Sequence, residues 1–297
     1  MEKQFEKYVL YNEPLSKHTT FKVGGNAQIF IQPSACDFVE AAKQVMRYAN
    51  DNKASLFVLG GGSNVVFSDK GFNGIVLDTT LYTKEPLVDG DKATFLSGVQ
   101  SDAASKAACK LSLSGLEFLS SLPGTIGGAV RMNARCFDHS VSDLIESVEI
   151  LNEKGECVSV PFNSSDWDYK KSPFQKDNII ILSASFKLQN GIQNEIRQKM
   201  ESYSIEREKK GHFLLPSAGS VFKNNRGHGK PAGQIIDELG LKGKEIGGAR
   251  IAPWHGNFIV NSGGATSRDI KALVTLAHSR AKEKLGIDLE PEIIFVD

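Results

Sequence analysis

Apolar residues recur along this chain at two spacings, and those spacings assign most of its elements. Between Asp37 and Asn52, the residues Phe38, Ala41, Ala42, Val45, Met46 and Ala49 fall three or four apart. That spacing predicts an amphipathic helix with Asp37 at its start. The apolar run 56–59 and the segment 74–77 predict strands around a glycine-dense loop. Residues 19–25 alternate and then break at Gly24-Gly25, like a short strand ending in a turn, so the first part of the chain reads as a β-α-β unit. Residues 1–18 are polar and mixed, and read as a strand or arm leading in.

The pattern then changes. Residues 93–99 read as a strand and 101–111 as a helix entered through Ser101-Asp102. Residues 148–151 and 157–160 flank Asn152-Glu153-Lys154-Gly155, a hairpin signal, and 179–188 read as one longer strand. Residues 192–210 read as a charged helix, and 231–239 as a helix with proline at its first position and Gly240 as its stop. Residues 257–260 read as a strand, and 266–285 as a helix opened by Thr266 and Asp269 at capping-box spacing and closed by Gly286. A last strand is expected at 289–296. Strands outnumber helices in the middle of the chain, which predicts an α+β fold rather than a doubly wound sheet.

Two glycine-dense stretches interrupt these elements. Residues 115–134, GLEFLSSLPGTIGGAVRMNA, carry almost no charge, and 60–64 read Gly-Gly-Gly-Ser-Asn directly after an apolar run. Glycine lets backbone approach a ligand closely, and successive N–H groups in such turns can point at phosphate oxygens. The two together suggest a phosphate-bearing cofactor gripped by backbone, and the competing reading is two tight turns in a buried sheet. Neither stretch fits the G-x-G-x-x-G or the G-x-x-x-x-G-K-[ST] fingerprint.

With 297 residues the chain has room for two or three domains, and net charge zero argues against a general nucleic-acid or anionic-membrane binder. Between Ile205 and Arg250, nine Lys/Arg face five Asp/Glu, which suits an anionic substrate or an ordinary solvated face. No secretion signal, and no apolar window approaching the roughly 18 residues of a membrane span, is visible. Cys36, Cys109, Cys136 and Cys157 are scattered without C-x-x-C, which suits reduced thiols in a cytoplasm, and no metal site is expected. Candidate chemistry gathers at Tyr169-Lys170-Lys171-Ser172-Pro173-Phe174, at residues 217–224 around Ser220, and at Glu290-Pro291-Glu292. Glu292 reads as a solvent-facing strand residue or a placed acid. Ser220 lacks a G-x-S-x-G elbow, and His255 reads as structural.

At these residues the chain resembles the UDP-N-acetylenolpyruvoylglucosamine reductases (the MurB family), flavoenzymes of peptidoglycan precursor synthesis. The resemblance runs in order through TTFKVGG, GGGSNVVFSDKGFNGIVL, GLEFLSSLPGTIGGAVRMNA, YKKSPF, PSAGSVFKNN, AGQIIDELGLKGKEIGGARI, HGNFIVN and LEPEIIF. It implies a vanillyl-alcohol-oxidase-type (PCMH-type) FAD module of two domains, residues 1–78 and 79–208. The terminal strand 287–297 would return to the second of these, and a third domain, 209–286, would bind the UDP-sugar. The short interval between Lys170 and Ser220 resembles the shorter, type II form.

The resemblance implies non-covalent FAD held by Gly60, Gly61, Gly62, Ser63, Asn64, Pro123, Gly124, Gly127, Gly128 and Ala129. NADPH would be the hydride donor and UDP-N-acetylglucosamine enolpyruvate the substrate. Ser220 would donate the proton, Glu292 would stabilise the enolic intermediate, and Lys170 would support its charge. Tyr169, Asn224 and Lys223 would contact substrate. A cytoplasmic monomer without nucleic-acid or membrane partners is expected. Two departures stand out: Lys170 occupies the family's arginine position, which keeps charge but loses the planar fork, and Arg135-Cys136-Phe137-Asp138 replaces small residues near the cofactor. Arg135 reads equally as a cofactor-phosphate contact or as solvent-facing. The rival readings are another flavin-dependent oxidase or dehydrogenase of the same fold, and a non-catalytic flavin or nucleotide-sugar binding module.

Overall fold

In the computed structural model, which describes residues 3–175 and 179–297, the chain divides into two compact units. One comprises residues 1–11, 29–61 and 73–206, the other residues 12–28, 62–72 and 207–297.

The chain opens with strands β1 (Val9–Pro14) and β2 (Asn26–Ile31), then helix α1 (Phe38–Asn52). All six periodic apolar residues of α1 are buried, and Lys53 ends it in the left-handed conformation, its N–H reaching Ala49 O and Asn50 O. Strands β3 (Ser55–Leu59), β4 (Val65–Phe67) and β5 (Phe72–Asp78) follow, and a sheet forms in the order β1-β2-β5-β3 with β3 parallel to β5. A core of Ile31, Phe38, Val45, Ile75, Leu77, Leu151 and Leu182 lies under α1.

Next come β6 (Leu87–Asp89), β7 (Lys92–Leu96), α2 (Ser101–Lys110), β8 (Leu113–Ser114), α3 (Ile126–Arg131), β9 (Arg135–Cys136) and β10 (His139–Ser140). They are followed by β11 (Ile145–Leu151), β12 (Cys157–Pro161), β13 (Ile180–Lys187), β14 (Gln189–Asn190) and α4 (Gln193–Lys209). An antiparallel sheet runs β12-β11-β13-β7-β6. Its middle strand β13 is buried at every position but the last, so it reads as one apolar run rather than an alternation. The predicted hairpin is present: Asn152 Oδ1 accepts from Lys154 N and Glu156 N, and Gly155 supplies φ 74°.

The remaining elements are β15 (Ser217–Ser220), α5 (Ala232–Glu238), β16 (Glu245–Ile246), β17 (Ala249–Ile251), β18 (Phe258–Asn261), α6 (Ser267–Leu285) and β19 (Ile294–Val296). The sheet β15-β18-β17-β16 packs its core with Ile235, Ile251, Ile259, Ile270, Leu273 and Ala277. The capping box of α6 is made as its sequence predicts, with Thr266 Oγ1 accepting from Asp269 N and Asp269 Oδ2 from Thr266 N. Its N-terminus has a second cap that the local sequence does not announce: Asp69 accepts from Ser267 N at 2.7 Å and Arg268 N at 3.1 Å.

Several expectations are corrected. Residues 19–25 form turns instead of a strand, with Lys22 N bonded to Thr19 O and Lys22 at φ 56°. Their alternation has another cause, because Phe21 and Val23 are buried in the core formed with Ile235 and Ile270. Of residues 289–296 only Ile294–Val296 is a strand; the stretch before it contains Pro291, which lacks an N–H, and makes one isolated bridge to Phe222. That strand pairs in parallel with β4, not with a strand of 79–208. The first expected domain, 1–78, is likewise split, since 12–28 and 62–72 group with 207–297. Gly127 and Gly128 lie inside the short helix α3 rather than in an open loop.

Candidate active site

In the first unit the two glycine stretches meet each other. A Cβ on Gly61 would lie 2.7 Å from Gly124 Cα, and one on Gly60 would lie 2.5 Å from Thr125 Oγ1. The second stretch is fixed by Ser101 N to Gly124 O, Ile126 N to Val99 O and Gly127 N to Ser97 O, all within 2.8–2.9 Å. Thr125, buried, accepts from Gly128 N at the start of α3. This corrects part of the phosphate-cradle reading. The amides of Ile126 and Gly127 are spent inside the protein, and Gly127 is small because a Cβ would lie 2.8 Å from Ser97 Cβ. Ala129 packs inward at 7% exposure, whereas Pro123 and Gly128 are exposed.

Gly128 tests whether a dinucleotide fits here. A Cβ on it would meet nothing closer than Thr125 Oγ1 at 3.6 Å, and its φ is not in the left-handed region. Helical glycine costs about 1 kcal/mol relative to alanine, and no neighbour in this chain demands it. A ligand passing over backbone at this point accounts for it, so the residues present fit a flavin dinucleotide.

The Tyr169-Lys170 pair occupies the tip of a tight turn in the same unit. Lys171 N donates to Asp168 O at 3.0 Å and Asp168 N to Lys171 O at 3.2 Å, with Lys170 at φ 57°. Positive φ at the third residue of such a turn favours glycine, so a lysine there is held by its surroundings. Buried Asn133, itself at φ 41°, donates from Nδ2 to Asp168 O and accepts at Oδ1 from Ser142 N. Ser172 Oγ donates to Arg131 O at 2.7 Å. The end of the RMNA segment therefore supports the YKKSPF turn. Arg135 donates to Ser140 Oγ and pairs with Asp138, within its own hairpin.

The second unit gathers the other candidates. Thr20 N and Oγ1 donate to Gly62 O, and Oγ1 also donates to Ser217 O at 2.6 Å. Both bonds to the triglycine loop use a carbonyl, so anchoring it consumes no N–H donor. Ser63 lies half-buried in the following turn, and Asn64 donates from Nδ2 to Glu292 O and accepts at its carbonyl from Ile294 N. Glu292 N in turn donates to Val221 O at 2.7 Å, and Lys223 N to Glu290 O at 2.9 Å. The Ser220 segment and the LEPE segment thus run side by side.

Ser220 ends β15 half-buried, after Gly219 at φ 71°. The pairing with β18 slips between Ser217 and Ser220. Such a bulge re-aims the side chain that follows it. Buried Asn257 locks this segment by bonding both Phe222 N and Phe222 O through its carboxamide. Lys223 forms an ion pair with Glu290 at 2.6 Å, and Asn224 caps α5 by accepting from Ala232 N. Both expected substrate contacts therefore already have partners within the unit. His255 Nδ1 accepts from Asn257 N, and burial pushes its pKa below the ordinary value.

Thr125, Asn133, Arg131 and Asn257 were missed by sequence reasoning. The first three stand inside the singled-out 115–134 stretch, and Asn257 follows His255-Gly256 in a quoted motif; Thr125 caps α3 locally, whereas Asn133, Arg131 and Asn257 act on backbone far along the chain. Among the described residues no three His, Cys, Asp or Glu are grouped to hold a metal ion. No helix among them is long and apolar enough to cross a membrane.

Comparison with known proteins covers both units. The family model described as UDP-N-acetylenolpyruvoylglucosamine reductase, C-terminal domain, matches residues 209–296, and the FAD binding domain model matches residues 34–161. A UDP-N-acetylenolpyruvoylglucosamine reductase of Treponema denticola is 42% identical, covering 98% of this chain and 94% of that protein. One from Borrelia garinii subsp. bavariensis is 39% identical, covering 95% and 91%. The crystal structure of the reductase (MurB) from Thermus caldophilus superposes with a TM-score of 0.79 at 30% identity, covering 97% of this chain and 98% of that one.

Proposed function

The chain belongs to the UDP-N-acetylenolpyruvoylglucosamine reductase family, and from that premise we propose how its residues divide the work. It is an FAD-dependent oxidoreductase of peptidoglycan precursor synthesis, reducing UDP-N-acetylglucosamine enolpyruvate to UDP-N-acetylmuramate at the expense of NADPH. Bound FAD supplies the relay that carries a hydride from NADPH to the enolpyruvyl double bond. Gly60, Gly61, Gly124 and Gly128 give it backbone to lie against, with Ser63 and Asn64 continuing the same loop.

The protein's own task is the charge and the proton. Reduction at the methylene carbon leaves negative charge on the neighbouring carbon and its carboxylate, and preplaced charge and donors lower the cost of that state. Lys170 supplies the positive charge. Ser220 Oγ gives a proton to the carbon, and the Glu292 carboxyl hydrogen-bonds the enolic form. Tyr169, Asn224 and Lys223 contact the substrate. For Lys223 and Asn224 this contact is shared with Glu290 and the start of α5.

The observation that carries this reading is the pairing of the Ser220 and Glu292 segments through Val221 O and Glu292 N, which keeps a hydroxyl and a carboxyl on adjacent strands of backbone. A cytoplasmic monomer belongs to the same reading. The test is product analysis in D2O with NADPH: the carbon of the lactyl ether that bears the carboxylate should take up one solvent deuterium. NADPH oxidation that consumes oxygen and leaves the enolpyruvyl group intact would contradict the reading.

A further inference from the structure

The turn that carries Lys170 is held by a closed set of hydrogen bonds around two residues outside the proposed chemistry. Gln175 Nε2 donates to Lys170 O at 3.0 Å and lies 3.9 Å from Met132 Sδ. Arg131 seats this region from α3: Nη1 donates to Phe174 O at 2.6 Å and Nη2 to Gln175 O at 3.2 Å. Ser172 Oγ completes the ring by donating back to Arg131 O. Arg131 thus fixes the Gln175 backbone, and the Gln175 side chain fixes the carbonyl of the one residue of the turn with positive φ.

We infer that Gln175, seated by Arg131, is a positioning residue that aims the Lys170 ammonium by holding its backbone in the left-handed conformation. The inference rests on the reading of Lys170 as the charge that supports the enolate. It follows from a difference between the two cations. An arginine carries its own geometry in a planar fork, whereas lysine is a point charge on a flexible stem, so its aim must come from the backbone beneath it. A left-handed lysine is disfavoured on its own, and the bond to Lys170 O acts on that conformation directly.

The test is anaerobic stopped-flow of both half-reactions on the flavin-loaded enzyme. It compares wild type, Gln175→Ala, Lys170→Ala and the double variant, with flavin content and a crystal structure of Gln175→Ala alongside. Reoxidation by UDP-N-acetylglucosamine enolpyruvate should slow on the order of tenfold in Gln175→Ala, since a misplacement of about 1 Å can cost up to about a hundredfold. Reduction by NADPH and flavin content should not change, and the crystal structure should show Lys170 relaxed out of positive φ. In the Lys170→Ala background the second substitution should add nothing, because its effect runs through Lys170.

A factor that adds in full to that of Lys170→Ala, or equal slowing of both half-reactions, would overturn the inference. So would unchanged reoxidation with Lys170 still left-handed. If Gln175→Ala does not fold, Gln175→Met, which keeps the length and removes the donor, enters the same cycle with the same outcomes. Wild-type flavin that the substrate never reoxidises would overturn the functional reading itself, a result distinct from all of these.

Discussion

Ser220 is the residue on which the proton chemistry turns. Removing a general acid costs roughly two to four orders of magnitude, so Ser220→Ala should slow reoxidation by the enolpyruvyl substrate that far. Reduction by NADPH should be untouched, and reoxidation at the wild-type rate would remove Ser220 from its role. Lys170→Arg restores the family's fork but asks a bulkier group to sit on a left-handed turn.

His255 makes a separate claim about pH. Burial first, and then the cations Lys210 and Lys242, hold its pKa below the ordinary 6.5, so the unfolded chain takes up a proton that the folded one refuses. Its contribution to stability is therefore complete above about pH 6.5 and is lost as pH falls from there toward the depressed folded value. His255→Asn, which keeps an acceptor for Asn257 N, should flatten the fall of Tm between about pH 7 and pH 5. Parallel acid limbs in wild type and variant would contradict this.

At the scale of elements, α3 and α6 separate what glycines and caps do. Gly128→Ala should leave the fold as stable or raise it by about 0.5–1 kcal/mol, because no neighbour in the chain meets the new methyl. It should also lower flavin retention after dialysis. Loss of stability without loss of flavin would show that the chain needed the glycine for itself. On α6, Asp69→Ala removes the acceptor for two N-terminal amides and should cost about 1–2 kcal/mol, read as a lower Tm with flavin content retained.

The same elements show what the sequence could carry. Helices α1 and α6 are legible because their apolar spacing and the Thr266-Asp269 box are local. The Asp69 cap is illegible because it acts across 198 residues, and Asn257 reads as a loop residue until Phe222 is seen opposite it. The alternation at 19–25 misleads because Phe21 and Val23 are buried without a ladder, and burial is all that alternation reports.

At the scale of the whole molecule, the chain is partitioned in a way no boundary signal announces. Residues 12–28 and 62–72 group with the last ninety or so, and the division falls inside the triglycine loop, between Gly61 and Gly62. Composition does not change there, because the loop is uniformly small and uncharged on both sides of the division. What the sequence does convey is the order of its motifs, and through them the family, the cofactor and the candidate residues Ser220, Glu292 and Lys170.

The flavin of this chain accepts electrons from NADPH and gives them to an enolpyruvyl sugar nucleotide. An absorbance spectrum of the purified protein under anaerobic conditions tests this transfer most directly. A bound-flavin spectrum that NADPH bleaches and UDP-N-acetylglucosamine enolpyruvate restores, without oxygen, is the predicted result. A flavin that is bleached and then recovers only when oxygen is admitted, or a protein with no flavin at all, would contradict the account.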